Sequence, residues 1–138
     1  MNYPKQIAMV GFALSALAVA LGAFGAHYLK ATLVLNNRMD TYELAVRYHF
    51  YHALALLALA SIFHLANKRA IIWSARLITI GVTLFSGSLY VLAILNYKAV
   101  AIVTPIGGVA MMAGWLTGLW ALHKGKNVGE NKTLSKPN

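Results

Sequence analysis

Cysteine is absent from this chain and acids are nearly so, with Asp40, Glu43 and Glu130 alone among 138 residues. The first absence excludes disulfides, thiolate chemistry and Cys-ligated zinc, and leaves the redox compartment open. The second removes the intramembrane carboxylate that proton-coupled transporters usually keep, so a pump would have to rely on histidine. Enzyme signatures are missing as well. There is no H-E-x-x-H, G-x-S-x-G, Walker loop or G-x-G-x-x-G. The chain reads as non-enzymatic, with no cofactor and no bound metal.

What is present is mostly hydrocarbon. Hydrophobic residues make up 59% and charged residues 11%, and the mean hydropathy is +0.63. That is too apolar for a solvated domain surface. The net charge of +9 raises nucleic acid as a partner. The cations sit between apolar runs without interleaved stacking aromatics, which argues against it. The lipid bilayer is the expected partner.

Crossing about 30 Å of hydrocarbon takes about 20 apolar residues at 1.5 Å each. Four segments qualify, near residues 7–26, 44–66, 77–95 and 100–122. They are too long and too evenly apolar for alternating barrel strands. The expected fold is therefore all-α, an integral membrane four-helix bundle over residues 1–123. Residues 124–138 read as a polar, basic, disordered tail. The first segment is longer than a signal-peptide core of roughly 7–15 residues and reads as retained.

Orientation follows from the cations. In a four-helix topology Lys5, Lys68, Arg69, Arg76, Lys124, Lys126, Lys132 and Lys136 share one side, eight of the twelve. Lys30, Arg38, Arg47 and Lys98 lie on the other, offset by Asp40 and Glu43. Both termini are expected on the cytoplasmic side of a bacterial inner (plasma) membrane, or in the matrix if the protein is mitochondrial. Trp73 and Trp120 then fall at the inner interface; Tyr28, Tyr42, Tyr48 and Tyr97 lie towards the outer one.

Small residues suggest how the helices meet. Gly11, Ser15, Ala18, Gly22 and Gly25 recur at spacings of four and three along the first segment. Gly107, Gly114 and Gly118 mark the fourth, the last two as G-x-x-x-G. Lipid offers no hydrophobic drive between helices, so small residues that let backbones approach take its place. Packing within the bundle is favoured over a dimer interface.

Four stretches differ from this filler: GAFGAH (22–27), Tyr42–Ala53, FSGSLY (85–90) and TPIGG (104–108). The topology brings all four to the outer leaflet, and Tyr42–Ala53 holds the densest set of polar groups. The expected cluster comprises His27, Tyr42, Glu43, Arg47, His49, His52, Ser86, Ser88, Tyr90 and Thr104. Thr104 and Pro105 fit a helix cap and first turn; a capped start outweighs an anion site there. The serines are expected to bond a carbonyl one turn back or a neighbouring helix. Glu43 and Arg47, one turn apart, are expected to pair and lock orientation rather than clamp a substrate. His27, His49 and His52 are within reach for metal, yet lack an acidic fourth ligand, so hydrogen-bonded structural histidines are favoured. His52 should face the interior and bond His27, the Tyr90 hydroxyl or a carbonyl near Thr104.

At LGAFGAH, AVRYHFYHALALL, LFSGSLY and TPIGG the sequence resembles the bacterial membrane family called domain of unknown function 423, or uncharacterised protein family 0382. Its eukaryotic relatives are similar to transmembrane protein 256. The resemblance implies a small multi-pass protein without an established activity or catalytic residues. Members of that family often carry Gln where this chain has His49, which weakens a metal reading further. The functional expectation is a partner- or lipid-binding protein using the outer-leaflet cluster, the partner being another membrane protein or a second copy. A transporter or channel subunit acting as an oligomer is the alternative, and a haem- or metal-binding redox subunit stands third.

Overall fold

The computed structural model describes residues 2–133, with side chains as far as Gly125. Helix α1 spans Tyr3–Ala26, a short α2 Lys30–Leu35, α3 Met39–Ser61 and α4 Lys68–Leu95. A 3₁₀ turn, Lys98–Ile102, leads into α5, Val103–Thr133. No strand occurs among the described residues.

Each boundary that departs from expectation has a local cause. Helix α3 starts at Met39 and not near 44, because Asp40 in its first turn complements the helix dipole. It stops at Ser61, and 62–66 form the turn. The loop expected over 67–76 is helical: the Asn67 side chain accepts from the Ala70 N–H at 3.1 Å and starts α4 there. Helix α5 runs on to Thr133 where a disordered tail was expected from 124. No proline interrupts that stretch before Pro137. The remainder of the expected tail, 134–138, lies outside the described residues.

Among the described residues three helices are long and apolar enough to cross a membrane: α1, α4 and Lys98–Gly125, the 3₁₀ turn with most of α5. Helix α3 is as long, at 23 residues, but Asp40, Glu43, Arg47 and two histidines dilute its first half.

The helices pack as an antiparallel row, α1 on α3, α3 on α4, and α4 most extensively on α5. Glycine lets the backbones of α4 and α5 approach closely. A Cβ on Gly107 would collide with the Phe85 backbone, and one on Gly114 would sit 3.1 Å from the Ile78 nitrogen. On α1, a Cβ at Gly11 would meet Leu57 and the Ala53 carbonyl, one at Gly22 would touch Val46 at 3.4 Å, and one at Gly25 would strike the Tyr42 ring. Ala18 is buried between them. The stripe thus faces α3 inside the same chain. Ser15 lies on it half-buried, its hydroxyl without a hydrogen-bond partner among the described residues.

At one end of the row, Leu56, Phe63, Ile71 and Ile78 form an apolar core. At the other, Leu33 of α2 packs with Tyr42 and Ala93. The turns at this second end use Asn37 and Asn96 in the left-handed conformation, φ 54° and 50°, which asparagine tolerates. Asn36 Nδ2 donates to the carbonyls of Ala93 and Ile94, both at 3.0 Å, and ties the α2–α3 turn to the end of α4. Helices α1 and α4 both flank α3 and meet each other far less than either meets α3, so a groove floored by α3 runs between them.

Candidate functional site

The structure distributes the polar residues of the expected cluster over separate small groups. Tyr42 is the anchor. Its hydroxyl donates to the Leu21 carbonyl at 2.7 Å, and its ring fills the space that the missing Gly25 side chain leaves. This tyrosine is 2% exposed, so it belongs to the core and not to an interfacial belt. The Tyr90 ring meets it edge-on at 5.2 Å.

Tyr90 in turn holds His49, with its hydroxyl 3.2 Å from Nδ1. Among the described residues the other ring nitrogen, Nε2, has no hydrogen-bond partner, and neither has the hydroxyl of Ser86. His49 is 5% exposed and Ser86 2%. Both residues border a cavity of about 200 Å³ in the α1–α4 groove, lined also by leucines of α1 and by Val82, Thr83, Gly87 and Tyr90. Buried polar atoms are nearly always paired, so these two are an exception.

A second group ties α3 to α5. The indole N–H of Trp115 donates to His52 Nε2 at 3.3 Å, and His52 Nδ1 lies 2.8 Å from the Tyr48 carbonyl. The acceptor role of Nε2 requires the proton on Nδ1, and the carbonyl fits that assignment. His52 faces the interior as expected but takes none of the expected partners, because Trp115 lies closer in depth than the ends of α1 or α4. A third group joins α4 to α5: Ser88 Oγ and Thr104 Oγ1 are 2.7 Å apart. Helix α5 begins at Val103, so the Thr104 hydroxyl serves this bond and not the cap expected of it.

Other expected members stay apart. His27 is exposed at the C-terminus of α1. Among the described residues no three of His, Asp and Glu come together as metal ligands. Glu43 and Arg47 are both exposed on α3, and the expected ion pair does not form within 4.0 Å; holding two long solvated side chains in one geometry costs entropy that a surface pair seldom recovers. Both line a cleft of about 300 Å³ with Gly22, Gly25, Tyr42 and Val46.

Trp115 was not among the expected site residues, since a tryptophan in an apolar run reads as lipid-facing or core. Asn36 was missed too, although a polar residue before a left-handed asparagine is a usable turn signal.

The family profile described as "Protein of unknown function (DUF423)" matches residues 21–108, which hold every site residue just described except Leu14, Leu17 and Trp115. The chain belongs to this family. It is similar to the UPF0382 membrane protein SH2409 of Staphylococcus haemolyticus, 38% identical over 112 residues, 81% of this chain and 90% of that protein. The UPF0382 inner membrane protein YgdD of Escherichia coli K12 is 42% identical over 97 residues, 70% of this chain and 73% of its own. The UPF0382 membrane protein YwdK of Bacillus subtilis is 38% identical over 116 residues, covering 81% and 91%. No solved structure matches. With three apolar helices of spanning length, this is a small membrane protein.

Proposed function

We propose that the protein is a multi-pass component of the bacterial inner membrane that binds phospholipid headgroups and catalyses no reaction. Helices α1, α3, α4 and α5 all cross in this reading. The 23 residues of α3 reach about 34 Å at 1.5 Å each, and its charged first turns lie at the headgroup level. The eight-to-four division of the cations favours both termini on the cytoplasmic side. The Glu43–Arg47 cleft then opens at the outer surface.

The observation that carries the reading is this cleft of about 300 Å³ with one anion and one cation at its rim, unpaired with each other. A zwitterionic headgroup offers both complements, a phosphate to the Arg47 fork and an ammonium to the Glu43 carboxylate.

Thermal unfolding in detergent tests it, with added phosphatidylethanolamine compared with phosphatidylglycerol. Phosphatidylethanolamine should stabilise more. Glu43→Gln should abolish the difference, and Arg47→Gln should weaken both effects. Equal responses of all three proteins to both lipids would refute headgroup binding at this cleft.

A further inference from the structure

A cleft of about 610 Å³ lies between α4 and α5, at the end of the molecule away from Glu43 and Arg47. Asn67, Arg69, Trp73, Leu77, Thr117 and Trp120 line it. Arg69 is exposed, and the two tryptophans are 53% and 51% exposed, so a visiting molecule can reach all three. We propose that this cleft binds an anionic phospholipid, its phosphate on Arg69 and its glycerol beside the two indoles, in the leaflet on the side of both chain ends. This is a second site for a different class of lipid, and it stands whether or not the Glu43–Arg47 cleft binds anything. Only its assignment to the cytoplasmic leaflet rests on the topology proposed above.

The order of residues along the cleft follows the order of groups in a phospholipid. Arg69 sits in the first turn of α4, at the mouth; Trp73 and Trp120 come next, and Leu77 and Thr117 lie deepest. Eight positions separate Arg69 from Leu77, about 12 Å along the helix. The Thr117 hydroxyl already donates to the Ala113 carbonyl at 2.7 Å, so the deep end offers no free donor. Tryptophans settle where hydrocarbon gives way to headgroups. The mouth then lies among phosphates and the floor among acyl chains. A soluble anion would use the mouth alone.

Charge decides which lipid. Besides Arg69, the Arg76 guanidinium stands 5.3 Å from the centre of the Trp73 ring, and the Lys124 ammonium 5.9 Å from that of Trp120. Asp40 and Glu43 belong to the far end of α3. Glu130 follows Trp120 by ten positions, about 15 Å along the axis of α5. Among the described side chains a phosphate here meets cations and no competing carboxylate, as in other basic pockets that take anionic headgroups. An ammonium-bearing headgroup would add a cation with nothing to pair it. The cleft is also preformed. The Asn67 N–H donates to the Ala121 carbonyl at 2.9 Å and the Ser74 hydroxyl to that of Gly114 at 2.7 Å, fixing α5 against α4. The Asn67 side chain already caps the Ala70 N–H, which leaves the Arg69 guanidinium as the partner of the phosphate.

The test reconstitutes the full chain in phosphatidylcholine bilayers and titrates in phosphatidylglycerol or phosphatidylcholine carrying brominated acyl chains. Bromine quenches a tryptophan that it touches, so the fluorescence reads lipid at Trp73 and Trp120. Trp115, deeper along α5, should respond alike to both lipids. Phosphatidylglycerol should quench at an about fivefold lower mole fraction, the effect of one cation near the membrane surface. Arg69→Gln should bring the two lipids within about twofold of each other, and Arg69→Lys should keep most of the preference. Lys5→Gln, which removes a cation from the same side on α1, should leave it intact.

Glu43→Gln and Arg47→Gln should leave the quenching unchanged, so failure at that cleft and failure here are told apart. Equal quenching by the two brominated lipids in the wild-type protein would overturn the assignment, as would a preference that survives Arg69→Gln. A loss in Lys5→Gln as large as in Arg69→Gln would overturn it too, by showing a diffuse field in place of a site. Displacement of the brominated lipid by millimolar glycerol phosphate would make a soluble phosphate ester the ligand and refute the lipid.

Discussion

Trp115 donates its indole N–H to His52 across 3.3 Å, although 63 positions separate them in the chain. Because His52 gives its own Nδ1 proton to the Tyr48 carbonyl, the imidazole is held in one tautomer between α3 and α5. Removing it leaves a buried acceptor and an indole donor unmatched. His52→Ala should therefore cost about 1–3 kcal/mol, measured by thermal or denaturant unfolding in detergent. Trp115→Phe should cost less than His52→Ala. A double mutant whose loss equals the sum of the singles would show that the bond contributes nothing.

Neighbouring glycines at the start of α5 should behave oppositely. Gly107 faces the backbone of Phe85 and Gly81 with no room for a methyl group, whereas a Cβ on Gly108 would make an ordinary 3.9 Å contact with the Phe85 ring. Gly107→Ala should prise α4 and α5 apart and destabilise by about 2 kcal/mol or more. Gly108→Ala should be neutral, or stabilise by up to about 1 kcal/mol through helix propensity. Unfolding curves for the two variants decide it, and a similar loss in both would mean the interface does not depend on close approach at Gly107.

Along α1 the same logic grades the stripe. Gly25→Ala collides with the Tyr42 ring, while Gly22→Ala merely touches Val46 at 3.4 Å. The first should be the more damaging by well over 1 kcal/mol, and Gly22→Leu should approach it. Tyr42→Phe keeps the ring but loses the 2.7 Å bond to Leu21, at about 1 kcal/mol. Detergent melting temperatures should fall in that order.

Topology is tested by reporter fusions. Fusions at Lys136 should report cytoplasm, and fusions within the Asn36 turn should report the opposite side. The converse pattern would place the Glu43–Arg47 cleft at the cytoplasmic surface.

Much of this architecture was legible because hydropathy is a property of runs, and four apolar runs leave few ways to fold in lipid. Polar pairings were less legible. Sequence spacing placed Tyr42, His49 and Tyr90 at one end of the molecule, and they are in contact there. It could not say that Glu43 and Arg47 stay apart, since one turn of separation permits a pair without forming it. Nor could it match His52 to Trp115, because depth along α5 depends on where that helix starts. The 3₁₀ turn at Lys98–Ile102 sets that start, and the apolar residues forming it look like helix. The start of α4 was hidden for a related reason: Lys68, Arg69 and Arg76 resemble a loop until the Asn67 cap is seen.

The tightest interface in the protein joins the last two long helices of the chain. During synthesis α4 therefore enters the membrane before the partner that covers its glycine face exists. Until α5 arrives, the Ser74 hydroxyl lacks the Gly114 carbonyl to which it donates at 2.7 Å, and the backbone beside Gly81 lies bare. A nascent chain cut short before Val103 would carry that unfinished surface permanently.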